Sequence, residues 1–175
     1  MKKILYLMLS IILLVVIAIV FSINKENLNR NCNIGSKITM QIPYSYENRD
    51  EKIENNLLNL YNPKGINISA TELKQDFWSS GDTFARIEEY LDVISSANYD
   101  SGLKNIKKTS VENTENKIGR VEFELNKPSI EYKNISMITN GEIGNIVIEI
   151  NGKKDIMDEN SEEIENIIQS IKLRK

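Results

Sequence analysis

The chain has 175 residues with 22 basic and 25 acidic side chains, no histidine and one cysteine. Lacking imidazole, it has no Ser/His or Cys/His nucleophile pair and no histidine metal ligand, which leaves catalysis to carboxylates, Lys or Tyr with shifted pKa values. The mildly acidic balance lacks the clustered Lys and Arg that displace counterions from nucleic acid, and Cys32 alone closes no intramolecular disulfide, so nucleic-acid binding is not expected and stability must come from packing.

From Ile4 to Ile23 runs an uncharged, almost wholly apolar stretch, "ILYLMLSIILLVVIAIVFSI". As a helix it spans about 30 Å, the thickness of a hydrocarbon core. Residues 1–23 are therefore expected to be a transmembrane anchor that contacts the lipid bilayer through residues 4–23. The alternative is a signal peptide cut after Val20-Phe21-Ser22, a poor cleavage site, which would release a secreted protein. Asn29, Arg30 and Asn31 before Cys32 do not fit a lipoprotein signal. Lys2 and Lys3 favour a cytoplasmic amino end, although Lys25, Arg30 and Lys37 on the far side weaken that bias and keep the reversed topology open. Residues 24–35, polar and Asn-rich, read as a tether, and 36–175 as one α+β domain outside the cytoplasm.

Within "SKITMQIP" Ile38, Met40 and Ile42 alternate with polar residues, the period of a half-buried strand ended by Pro43. "NLLNLYNPKGINISATEL" reads as a hairpin turning at Asn62-Pro63-Lys64-Gly65, with Leu58, Leu60, Ile66, Ile68 and Ala70 inward. The period then changes to helical: Phe84, Ile87, Leu91 and Ile94 share a stripe, Asp82 offers an N-cap, and Glu88 and Glu89 point away. Four Ile- and Val-rich strands follow. The last two are joined at Asn140-Gly141, a two-residue hairpin signal, and a phase slip suggests a bulge near Asn134. The terminal segment carries Ile164, Ile167, Ile168 and Ile171 on one face. Asn160 and Glu163 are spaced as a capping box, and Lys172, Arg174 and Lys175 suit the negative end of the helix dipole.

The order predicts an α+β fold: an antiparallel sheet of about six or seven strands covered by two amphipathic helices and preceded by a transmembrane helix. The early "ITMQIP", the meander "IGRVEFEL … SIEYKNISMITNGEIGNIVIEI" and the closing "IENIIQSIKL" resemble the PsbP-like family over residues 36–173. That resemblance implies an antiparallel sheet sandwiched by helices and a role in binding and assembly. It supplies no catalytic residues to carry over.

No motif points to a cofactor, and neither catalytic nor metal-ligating residues stand out. The acidic cluster Asp155, Asp158, Glu159, Glu162, Glu163 and Glu165 lacks the ligand alternation of a calcium loop and reads as a carboxylate-rich helix start. Asn67-Ile68-Ser69 and Asn134-Ile135-Ser136 match the glycosylation pattern but fall inside predicted strands. Phe77 and Trp78, just before the Ser79-Ser80-Gly81 turn, are the candidate partner-binding residues, since an aromatic pair on a loop is a common anchor. The competing reading has Trp78 plugging the gap between helix and sheet. The expected function is a non-catalytic, membrane-anchored binding or accessory module with a protein partner. A hydrolase using two carboxylates from different strands is the alternative, and a receptor-like sensor would need a second membrane protein to pass its signal.

Overall fold

The computed structural model describes residues 28–49, 55–97, 102–127 and 130–174. The segment expected to cross a bilayer lies outside the described residues, and no helix among those described is long and apolar enough to span a membrane.

Among the described residues ten strands form two antiparallel sheets. The small one pairs β1 (Asn29–Ile34), β2 (Ile38–Pro43) and β10 (Lys172–Leu173) in the order β1-β2-β10. The large one comprises β3 (Glu47–Asn48), β4 (Asn56–Tyr61), β5 (Asn67–Glu72), β6 (Leu103–Ser110), β7 (Ile118–Lys127), β8 (Ile130–Thr139) and β9 (Ile146–Lys153), ordered β3-β4-β5-β9-β8-β7-β6. Its seven strands match the expected number but not the expected membership: β2, expected among them, belongs to the separate small sheet, and the short β3 takes its place. Three α-helices among the described residues accompany them: α1 (Thr83–Ala97), α2 (Lys154–Glu159) and α3 (Ser161–Gln169).

Strand residues alternate between two cores on opposite faces of the large sheet. On one face Ile135, Met137, Ile146, Ile148 and Ile150 pack with Ile38, Met40 and Ile42 of β2 and with Met157, Ile164, Ile167 and Ile168 of α2 and α3. On the other, Val121, Phe123, Ile138 and Val147 pack with Ile87, Tyr90 and Leu91 of α1 and with Trp78. The small sheet and the terminal helices thus cover one side, and α1 covers the other.

Several expectations are corrected. The second half of the expected tether is strand β1, whose six residues pair along β2 from Asn29 opposite Pro43 to Ile34 opposite Ile38. Its polar side chains hid it, because only Ile34 is fully buried. The slip near Asn134 is not a bulge: β8 keeps unbroken register with both β7 and β9. Its apolar residues change sides because its inner half is buried on both faces, whereas its outer half is half-exposed. Asn67 and Asn134 do lie in strands, each opposite Asn151 of β9.

The β8–β9 connection runs from Asn140 to Asn145 and turns where Ile143 and Gly144 N–H both donate to Asn140 O, so it is longer than a two-residue hairpin. The terminal helix is broken into α2 and α3. The Asn160 side chain forms no cap: its oxygen accepts from Lys64 Nζ and its amide donates to Ile156 O, while Glu163 accepts from Tyr46. Lys172 leaves the helix altogether and pairs with Thr39 in β10.

Along α1 the buried stripe is Thr83, Arg86, Ile87, Tyr90 and Leu91, with Ile94 partly buried, and Phe84 is 46% exposed. Gly119 of β7 explains the rotation. A Cβ there would lie 2.6 Å from Thr83 Cγ2 and 2.7 Å from Ile87 Cδ1, so the helix rests directly on a bare backbone.

Candidate functional site

At one end of the large sheet, three connections converge on the start of α1: the segment after β5, the loop leading into the helix, and the β8–β9 connection. Beyond β5, Leu73 N–H donates to Asn145 O, and a single 3-10 turn, Gln75–Phe77, closes with Phe77 N–H on Lys74 O. Trp78 then runs extended. The Ser79 amide and hydroxyl both donate to the Glu89 carboxylate, so this glutamate anchors the loop. As the sequence predicts, Asp82 caps the helix: its Oδ1 accepts from the Phe84 and Ala85 amides, both at 2.9 Å.

Arg86 ties these pieces together. It is 5% exposed, and its Nε donates to Ser80 O at 2.7 Å. Nη1 donates to Thr139 O and Gly144 O, each at 2.8 Å, and Nη2 to Asn145 Oδ1 at 3.2 Å. The guanidinium also lies 5.4 Å from the centre of the Trp78 ring, within cation–π reach. Gly141 N–H donates to Gly81 O, closing the two loops on each other. Burial pulls the Arg86 pKa below the usual guanidinium value, and the nearby Glu89 charge opposes that shift.

The structure separates the two sequence-predicted residues. Trp78, 7% exposed, packs in the α1-side core. Phe77, 39% exposed, stands edge-on to it with ring centroids 4.7 Å apart and an interplanar angle of 81°. The pair is thus an exposed ring braced on a buried one.

Beside them opens a cavity of about 690 Å³, lined among others by Trp78, Arg86, Lys74, Glu72, Ser80 and Gly141. Among the described residues Glu72 is its one acidic lining residue, so these residues do not assemble there the two facing carboxylates that glycoside hydrolysis uses. Among the described residues no group of three or more Cys, Asp or Glu is placed to hold a metal ion. In the acidic terminal cluster, Asp158 instead pairs with Lys133 and Lys154, both at 2.8 Å.

Sequence reasoning missed Arg86. The available signal was its place three residues after Thr83 and four before Tyr90, on the buried stripe of α1. Reading it required knowing which side of the helix is covered.

No protein-family model matches the chain, and no curated protein matches it. Solved structures do. Cyanobacterial PsbP (CyanoP) from Synechocystis aligns with a TM-score of 0.61 at 10% identity, over 83% of this chain and 92% of that one. Mog1p, a Ran-binding protein of Saccharomyces cerevisiae, aligns with a TM-score of 0.60 at 10% identity, over 82% and 94%. At such identity the likeness is one of architecture, and it extends over nearly the whole of both neighbours. With its antiparallel sheet packed on both faces, the chain has the PsbP-like fold.

Proposed function

We infer that this protein is a non-catalytic binding or accessory module, held at the membrane by residues 4–23, with its α+β body outside the cytoplasm and presented to a protein partner. The observation that carries the reading is Phe77: an exposed aromatic ring braced edge-on against buried Trp78, which itself lines a cavity whose loops Arg86 holds in place. A rigid aromatic anchor gives contact area at low entropic cost. Mog1p is named for binding Ran, so recognition of a protein has precedent on this fold. Anchoring rests on the length of the apolar leader.

Two measurements test the proposal. In intact cells, added protease should remove the body, whereas protection until lysis would reverse the topology. A photo-crosslinker at position 77 in native membranes should capture a discrete protein, and Phe77→Ser should abolish that capture while leaving the melting temperature within about 2 °C, as for an exposed side chain. Partner capture undiminished by Phe77→Ser would move the docking surface elsewhere.

A further inference from the structure

Strand β1 is the outer strand of the small sheet, and the bonding of β2 fixes which of its backbone groups are free. In an antiparallel pair, residues alternate between those that bond across the ladder and those that turn N–H and C=O away from it. Tyr44 N–H donates to Leu28 O at 2.9 Å, which puts the even-numbered residues of β1 in the ladder. Gln41, opposite Asn31, instead turns its amide to Ser170 Oγ at 2.8 Å, on the far side of β2. Asn29, Asn31 and Asn33 therefore direct both backbone groups outward, and all three residues are exposed. Among the described residues nothing bonds to those groups.

The other sheet edges are defended. Strands β3 and β10 have two residues each, and β6 carries a bulge and exposed lysines. Strand β1 has six residues in unbroken register, with neither Lys nor Pro.

We propose that β1 pairs antiparallel with β1 of a second copy of this chain, joining the two small sheets across a two-fold axis. In the register that makes most bonds, Asn31 faces its own counterpart and Asn29 faces Asn33 of the second copy, which gives about six N–H···O=C bonds. The alternation in "NRNCN" is self-complementary there. Outward pairs are all asparagine with asparagine, and Arg30 faces Cys32, so no like charges meet. Sliding to Asn31 opposite Asn33 leaves only about four bonds, because Asn29 would face Gly35 in the turn after β1. A foreign strand finds neither charge nor apolar grip on the three asparagines. The choice of a second copy takes the anchoring reading as given. From Ile23 to Asn29 the chain reaches at most about 20 Å whatever its path, so each anchored copy presents this edge near the bilayer. Confinement there raises the effective concentration of the matching edge, and a two-fold axis along the membrane normal lets both leaders enter one bilayer.

The test uses the full-length protein in native membranes, with Cys32→Ser to remove the native thiol and a short bifunctional thiol reagent. Asn31→Cys should cross-link to itself, since facing positions lie about 5.5 Å apart. Asn29→Cys alone and Asn33→Cys alone should not, because each lies about 13 Å from its own counterpart, but the two co-expressed should cross-link to each other. Adding Asn31→Pro to that mixed pair removes two outward N–H donors and none that bond β2, so cross-linking should fall about tenfold or more. Asn31→Lys, which sets two ammonium groups face to face on an exposed position, should also lower it.

The proposal is overturned if Asn31→Cys fails to cross-link, if all three single-cysteine chains cross-link equally, or if neither substitution at 31 weakens the mixed pair. Carbonate washing of the same membranes separates this result from the anchoring reading. A chain that resists extraction yet never cross-links keeps its anchor and loses the strand pairing. A chain released without its leader that still cross-links in this pattern keeps the pairing and loses the anchor.

Discussion

Two tyrosines show how single residues are tuned by their surroundings. Tyr46 OH donates to Glu163 Oε1 at 2.9 Å, and Tyr90 OH donates to Glu149 while accepting from Ser136 Oγ at 3.0 Å. Burial first, and then the adjacent carboxylate, pushes both phenols far above their ordinary pKa of 10.0. Each is an acid whose folded pKa is raised. The stability it contributes is therefore intact below pH 10 and is lost as pH rises through and beyond that value. Phenolate absorbance followed against pH should show at least two of the seven tyrosines ionising only as the protein unfolds. Seven tyrosines titrating near pH 10 with the fold intact would refute this environment. Asp158 behaves in the opposite sense. Hydrogen bonds from Lys133 and Lys154 hold its pKa below 3.8, so its contribution is present above that pH and lost as pH falls through the lowered value. The pair is substantially exposed, so Asp158→Asn at neutral pH should cost no more than about 1 kcal/mol by chemical denaturation.

At the level of elements, the crossing of α1 over β7 depends on one missing side chain. Gly119→Ala forces a methyl into Thr83 and Ile87, and overpacking of this type costs about 1–3 kcal/mol. The melting temperature should fall accordingly, and Thr83→Ser in the same chain should recover part of it by removing the methyl that clashes at 2.6 Å. An unchanged melting temperature in Gly119→Ala would mean that the helix rides higher over the sheet. Strand β6 illustrates a different device. It is the outer strand of the large sheet, and Lys104 lies opposite Glu124 and Lys107 opposite Glu122, so Asn105 and Ile106 together face the single residue between those partners. Asn105 has a φ of 54°, a left-handed conformation that asparagine tolerates well. A bulge and exposed lysines both deter edge-to-edge pairing. Replacing Lys104 and Lys107 by Val should therefore raise light scattering in concentrated solution without lowering the melting temperature.

For the whole molecule, the folded body begins earlier than composition suggests. Strand β1 contributes Ile34, fully buried, and its Arg30 donates from Nη2 to the Tyr46 carbonyl at 2.6 Å. A chain starting at residue 36 should be less stable than one starting at residue 28. The deficit expected is about 2–5 kcal/mol, the range for deleting a large buried aliphatic side chain, and equilibrium unfolding in urea measures it. Equal stability of the two chains would return 28–35 to the status of a tether.

The sequence by itself determined what is periodic or chemically excluded. Alternation in "ITMQIP" and "NIVIEI", the Asn62–Gly65 turn, the Asp82 cap and the isoleucine face of α3 are all local signals, carried by residues within a few positions of one another. The missing imidazoles likewise needed no structure. Tertiary structure decided what depends on a partner remote in the chain. Strand β1 is polar because the small sheet buries little of it. Phe84 points outward because Gly119, 35 residues away, draws the other side of α1 onto the sheet. Asn160 fails to cap because Lys64 claims its oxygen. The cavity exists only where Arg86 joins loops that lie about 55 residues apart in sequence, and such long-range contacts leave no periodic trace in the chain.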